Sequence, residues 1–259
     1  MSSTYAGPNP GGEPASLAAA GHGHGQASRA QRARELRRRD RLVVLLAVVS
    51  GVTDAASFIG LGGAFSSVMT GNMVLLGLGA GTGDGSLAAR TGAAIAAFVL
   101  GGFIGGRLAG RHTDGDAVWP PSITRALIAE LAVFTIYGLA LQLVHGHPQQ
   151  SVVKTALLAC NAVALGIQSS AIQRFGVQGL STTYLTGTLT TTVVHISAGR
   201  PLRHVRLNLE VMGGLILGAA VAGFIAIHAM RLTPLLQLAG VATVITVAIL
   251  AGREWLPSD

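Results

Sequence analysis

The chain has 259 residues, only 11% of them charged and 50% hydrophobic, with a mean hydropathy of +0.55. Soluble domains carry roughly a quarter charged residues, so an ordinary soluble fold is excluded. The net charge of +7 is concentrated: seven of eighteen basic residues (Arg29, Arg32, Arg34, Arg37, Arg38, Arg39 and Arg41) fall in thirteen consecutive positions.

Residues 1 to about 28 are rich in Gly, Pro, Ala and Ser, which predicts disorder. His22 and His24 in this stretch are two histidines in a tail, too few for a metal site. The arginines that follow precede the first apolar run, where they act as a positive-inside determinant and attract anionic headgroups. No aromatic or base-reading pattern accompanies them, so no nucleic-acid partner is expected. The first apolar run holds Asp54 and Ser57 and continues past signal-peptide length, so it reads as a retained span.

Apolar segments follow at about 42–62, 64–80, 91–110, 123–144, 152–173, 182–198, 205–230 and 234–252. A helix needs about 20 residues to cross hydrocarbon, and six of these approach that length. The 64–80 and 182–198 segments are shorter and more polar. One contains Ser66, Ser67, Thr70 and Asn72; the other contains seven threonines. They point to an internal repeat. Thr70-Gly71-Asn72 matches Thr186-Gly187-Thr188, Gly51 to Asp54 matches Gly166 to Ser169, and Gly101-Gly102 with Gly106 matches Gly213-Gly214 with Gly218.

If the short segments dip in and return, the chain has six spans and two oppositely oriented halves. Cytoplasmic loops then hold Arg107, Arg111, Arg125, Arg174, Arg200, Arg203 and Arg206, against Arg90, Lys154 and Arg231 outside. Eight full crossings split the charges evenly, so the positive-inside rule favours six, with both termini cytoplasmic. The expected fold is therefore an all-α polytopic membrane bundle of six spans plus two short broken or re-entrant segments, in two inverted repeats. Its expected divisions are a disordered basic tail at 1–41, repeats at 42–144 and 145–252, and a short tail at 253–259.

The stretch Gly51, Asp54, Ala55, Ser57, Phe65 and Met69-Thr70-Gly71-Asn72 resembles the N-terminal signature of the YoaK family of bacterial multi-spanning membrane proteins. Gly166, Gln168, Thr186 and Gly187 are similar to its weaker second-half signature. The resemblance covers about residues 42 to 252. It implies a six-span protein of the inner (cell) membrane and carries no established substrate or reaction.

Asp54 lies thirteen residues past Arg41, roughly 20 Å along a helix at about 1.5 Å per residue. A carboxylate at that depth needs a partner or a water-filled cavity. Two readings are open: a proton or cation relay or substrate anchor, and a structural carboxylate that caps a helix break or bonds the neighbouring polar segment. Thr70, Gly71 and Asn72, with Thr186 and Gly187, suit a broken segment that lines a midplane site; tight packing is the alternative. Gln168 and Asn161 share one span and are candidates for the same lining. Gly101, Gly102, Gly105, Gly106, Gly214 and Gly218 fit small-xxx-small spacing and should serve helix packing or a homo-oligomer contact. Glu130 and Glu210 are expected near the cytoplasmic end, satisfied by Arg125 and Arg206 or by headgroup water, with Arg206–Glu210 at i,i+4. His195 and His228 should be interfacial. The lone Cys160 forms no internal disulfide.

No P-loop, nucleophile elbow, zincin motif or metal-spaced cysteine pair occurs, so neither an enzyme nor a cofactor or metal is expected. The leading expectation is a small secondary transporter or permease for an unknown small solute. The alternative is a non-transporting membrane scaffold, assembly factor or lipid-interacting protein.

Overall fold

The computed structural model describes residues 15–113, 116–144, 151–175 and 185–253, with side chains from Arg29 to Ala251. Eight α-helices run through the described residues, and no strand occurs among them. They are α1 (Ala15–Gly60), α2 (Met69–Thr82), α3 (Gly85–Ala109), α4 (Pro121–Leu143), α5 (Ser151–Gln173), α6 (Leu185–Ser197), α7 (Arg206–Ala229) and α8 (Thr233–Arg253). The described residues up to Arg38 belong to one unit and those from Arg39 on to another; the bundle described below belongs to the second.

Two expectations change at once. The arginine-rich stretch assigned to a disordered tail is helical, because α1 begins at Ala15. Its Ala, Arg, Gln, Glu and Leu residues are good helix formers and no proline interrupts them, so the span propagates backwards. The side chains of His22 and His24, and residues 1–14, lie outside the described residues. In the 64–80 segment, helix starts only at Met69, and the break precedes Thr70-Gly71-Asn72 instead of falling on it.

Five segments are long and apolar enough to cross a membrane: Arg29–Gly60, Gly85–Ala109, Pro121–Leu143, Ser151–Gln173 and Arg206–Ala251. The last spans α7 and α8, which part at Ala229 (φ −157°, ψ 63°) and a one-turn 3-10 helix, Met230–Leu232. Side-chain and backbone contacts give the directions. Along α7, Gly214 meets Val44 and Gly218 meets Val48, so α7 runs parallel to α1. On α8, Gln237 bonds Thr53 and Gly240 meets Val49, so α8 runs the opposite way. Likewise Gly101 meets Val163 and Gly105 meets Ile167, which makes α3 and α5 parallel. Gln168 bonds Ser50 and Asn161 bonds Ser57, which makes α5 antiparallel to α1.

The helices are bounded by local chemistry. Asp84 caps α3, its Oδ1 accepting from the backbone N–H of Ser86 (3.1 Å) and Leu87 (3.0 Å). Gly83 at φ 76° turns the chain out of α2 just before it. Pro121 opens α4, where a missing N–H costs nothing. α1 and α5 are the most buried long helices; α3, α7 and α8 present most of their apolar surface outward, as a bundle immersed in hydrocarbon requires.

These directions gather Arg107, Arg111, Arg125, Arg174 and Arg206 at the end where Arg39 lies 5.5 Å over the Phe175 ring. That end is pinned by Arg174, which donates to the Ala109 carbonyl, to Ser122 Oγ (2.6 Å) and to Asp116 Oδ2 (3.0 Å). The Thr113 backbone N–H, with the Arg174 guanidinium, holds the Asp116 carboxyl below its ordinary value. Arg90 packs on Gly62 and Arg231 donates to the Val144 carbonyl at the other end.

Candidate functional site

Ser50, Thr53, Asp54 and Ser57 recur at i, i+3, i+4 and i+7 on α1, so they form one stripe of a 3.6-residue helix. All four are buried. In water this stripe would be apolar; here the apolar faces point outward and the polar one inward. Each member meets a different neighbour. Ser50 Oγ accepts from Gln168 Nε2 of α5 at 2.8 Å. Thr53 Oγ1 accepts from Gln237 Nε2 of α8 at 2.9 Å. Ser57 Oγ accepts from Asn161 Nδ2 of α5 at 3.1 Å and shares a 2.6 Å bond with Ser66 Oγ.

Asp54, 6% exposed, meets the chain that follows its own helix. After Gly60 the backbone reverses through Gly62 (φ 103°) and Gly63 (φ 77°), a conformation open to glycine. Residues 64–68 then fold back along α1. Asp54 Oδ1 accepts from the backbone N–H of Ser66 and Ser67, both at 2.8 Å, and Oδ2 from the Ser67 hydroxyl at 2.5 Å. Asn72 secures the same segment from the far side. Its Oδ1 accepts from Phe65 N (3.0 Å) and its Nδ2 donates to Phe65 O (2.7 Å), a strand-like pair made by one side chain. The Phe65 ring stacks on Phe58 with centroids 4.8 Å apart. α2 thus starts inside the bundle and returns antiparallel along α3, with Gly79 against Ala88 and Leu76 near Gly92.

Of the residues expected to form a midplane site, Asp54, Asn72 and Gln168 are buried in this network. Gly71 lies half-buried beside Phe65 and Val68. Thr70 and Thr186 are exposed and Gly187 is half-buried. The Thr186 carbonyl accepts from Thr190, and Thr192 Oγ1 accepts from Asn208 of α7, so these bonds tie α6 to itself and to α7, away from Asp54. Among the expected packing glycines, Gly101 and Gly105 lie against the α5 backbone and Gly214 and Gly218 against α1. Gly102 lies near Ser170 Oγ, and Gly106 faces open space.

Glu210 pairs with Arg206 at 2.6 Å, the i,i+4 partner the spacing predicts. Glu130 departs from expectation. It is 0% exposed, and among the described residues neither of its carboxyl oxygens has a hydrogen-bond partner. The reason is helical phase: Arg125 is exposed on another face of α4, whereas Glu130 shares the buried face with Ile123, Ala126, Leu127, Phe134 and Tyr137. Sequence reasoning also missed Ser50, Thr53 and Gln237. The i, i+3, i+4, i+7 spacing on α1 was a signal that would have found the first two. Among the described residues no group of three or more His, Cys, Asp or Glu is placed to hold a metal.

Comparison with known proteins agrees with a membrane bundle. A relative from Bacillus subtilis (strain 168), the UPF0700 transmembrane protein YoaK, is 32% identical over 162 residues, covering 61% of this chain and 68% of the relative. No solved structure matches. The model of the family described as "Protein of unknown function (DUF1275)" matches residues 42–249, from Leu42 in α1 through most of α8, and the chain belongs to that family of multi-pass membrane proteins.

Proposed function

We propose that the protein is a small secondary transporter or permease of six spans, in which two inverted halves meet around the polar stripe of α1. The carrying observation is that stripe. Four buried polar residues lie on one face of a membrane helix, and three of them, Ser50, Thr53 and Ser57, bond carboxamides of α5 and α8. A polar axis inside hydrocarbon is costly, and membrane proteins keep such groups chiefly along substrate and ion routes.

Inversion is supported by reciprocal contacts. A methyl on Gly51 would strike the Leu215 carbonyl and the Ala219 nitrogen; one on Gly166 would strike the Phe98 carbonyl and the Gly102 nitrogen. Gly218 meets Val48 as Gly101 meets Val163. Exchanging the halves therefore maps α1 on α7 to α5 on α3, and α1 and α5 run antiparallel. In this register Gly101 corresponds to Gly218, not to Gly213. The re-entrant path of residues 61–82 gives one broken segment per half if α6 is its counterpart. The arginines at the Arg39 end supply the cytoplasmic side of an inner-membrane protein with both termini inside.

The second reading, a non-transporting scaffold, is favoured by Asp54, whose three short bonds are all spent on holding its own loop. Reconstituted protein separates the two. Currents on a solid-supported membrane are recorded against amino acids, sugars, organic acids and alkali cations. Transport predicts a response to at least one class, and Gln168→Leu with Ser50→Ala lowers it more than tenfold at equal incorporation. Silence toward every solute, or a response indifferent to these substitutions, would favour the scaffold.

A further inference from the structure

Glu130 lies nine residues into α4, which starts at Pro121, or roughly 14 Å along it at about 1.5 Å per residue. That is near the middle of a 23-residue helix. Its face of α4 points into the bundle, against α5 and α8. Several titratable groups stand on the elements packed against α4: Arg90 and Arg107 on α3, Lys154 and Cys160 on α5, and Arg231 in the turn before α8. α4 itself adds Arg125 and Tyr137, and the neighbouring α1 adds Asp54. None of them bonds Glu130, whose two oxygens have no donor among the described residues.

An ionised carboxyl in such surroundings loses its hydration with no donor or counter-charge to replace it; a neutral one forgoes only hydrogen bonds. An alkali or divalent cation needs several oxygen ligands, and among the described residues Glu130 belongs to no group of three or more His, Cys, Asp or Glu. A proton needs one carboxyl. We propose that Glu130 is a proton-binding site in the membrane interior. If the protein transports, as argued above, this site couples solute movement to the proton gradient; that coupling alone rests on the transport reading.

The first test needs no transport. A hydrophobic carbodiimide reacts with a protonated carboxyl. The proton passes to one carbodiimide nitrogen and a carboxyl oxygen bonds the central carbon. The resulting O-acylisourea rearranges to an N-acylurea, so the whole reagent is retained and nothing leaves. Purified full-length protein in nanodiscs, treated at neutral pH, should carry one adduct. Peptide mapping should locate it on Glu130; labelling should fall as the pH rises, and Glu130→Gln should abolish it. A water-soluble carbodiimide should leave Glu130 untouched. An unlabelled Glu130 with the adduct on Asp54, or labelling that is independent of pH, would overturn the site, and mapping on the wild-type chain decides this even if the variant misfolds.

In proteoliposomes Glu130→Gln should abolish dye-reported proton movement while solute counterflow persists. Proton movement unchanged in that variant overturns the coupling. If no solute moves in wild type but Glu130 is labelled, the proton site stands and the transport reading alone falls.

Discussion

Asp54 takes the place that water would otherwise hold for two backbone N–H groups. Ser66 and Ser67 are buried, and their amides have this carboxylate as partner. Asp54→Ala leaves both donors unsatisfied, at about 1–3 kcal/mol each, and hydrogen bonds to a charged group sit at the upper end of the range. Asp54→Asn keeps one acceptor oxygen and should cost less. Asn72 makes the sharper case, because it donates and accepts across Phe65 at once. Aspartate there only accepts, so Asn72→Asp should be at least as damaging as Asn72→Ala, by roughly 1–3 kcal/mol. Thermal unfolding in detergent checks both orders, and an Asn72→Asp variant as stable as wild type would remove the paired bond from the account. That Asp54 needed a partner was legible from its depth. The neighbouring polar segment was one candidate, but that its backbone N–H groups twelve and thirteen residues later are the donors was not legible, since it depends on a chain reversal at Gly62 and Gly63 which composition only hints at. Glu130 was misread for a similar reason: five residues from Arg125 is close along the chain, but it is far around a helix.

At the level of helices, close approach carries the packing. Hydrocarbon tails are as apolar as leucine, so helices associate through contact area and small residues. The glycines divide sharply by what a methyl would meet. On Gly101, Gly166 and Gly218 it would overlap a backbone carbonyl of the facing helix, which no rotamer change relieves; on Gly106, Gly213 and Gly223 it meets nothing. Alanine at any of the first three should force the helices apart and cost about 1–3 kcal/mol or more. At the second three it should be neutral or slightly stabilising, since alanine is the better helix former. The comparison within one motif is the test: Gly101→Ala and Gly106→Ala differ by five positions on α3 and should differ in unfolding temperature by several degrees. Equal effects would mean that the α3–α5 crossing is looser than these contacts imply. Glycine spacing announced that such crossings exist. It did not give their register, because a run such as Gly101-Gly102-Phe103-Ile104-Gly105-Gly106 matches a second Gly-rich run at several offsets, and only the partner backbone selects one.

For the molecule as a whole, the open quantity is how many times the chain crosses, and four exposed positions decide it. Charge asymmetry was readable from the sequence because topology responds to a sum over loops, which survives errors in any one boundary. The re-entrant segment was harder: α2 has 14 residues, about 21 Å at about 1.5 Å per residue, short of the roughly 30 Å hydrocarbon core. Length alone leaves a tilted or locally thinned crossing open, whereas the fold-back of Ser66 and Ser67 onto Asp54 of α1 favours a dip. In a Cys160→Ala background, which removes the sole cysteine, single cysteines at Ser86, Arg111, Val152 and Arg203 lie on exposed residues. Six spans put Ser86 and Val152 outside, with Arg111 and Arg203 inside. Eight spans leave Arg203 inside but exchange the other three, so Arg203 serves as the reference. The expected outcome in intact cells is labelling of Ser86→Cys and Val152→Cys by a membrane-impermeant maleimide, with Arg111→Cys and Arg203→Cys reacting only after the membrane is opened. Labelling of Arg111→Cys in intact cells, with Ser86→Cys silent, would make α2 and α6 full crossings. The two halves would then each hold four spans and share one orientation, and the inverted arrangement proposed from the antiparallel passage of α1 and α5 would fall.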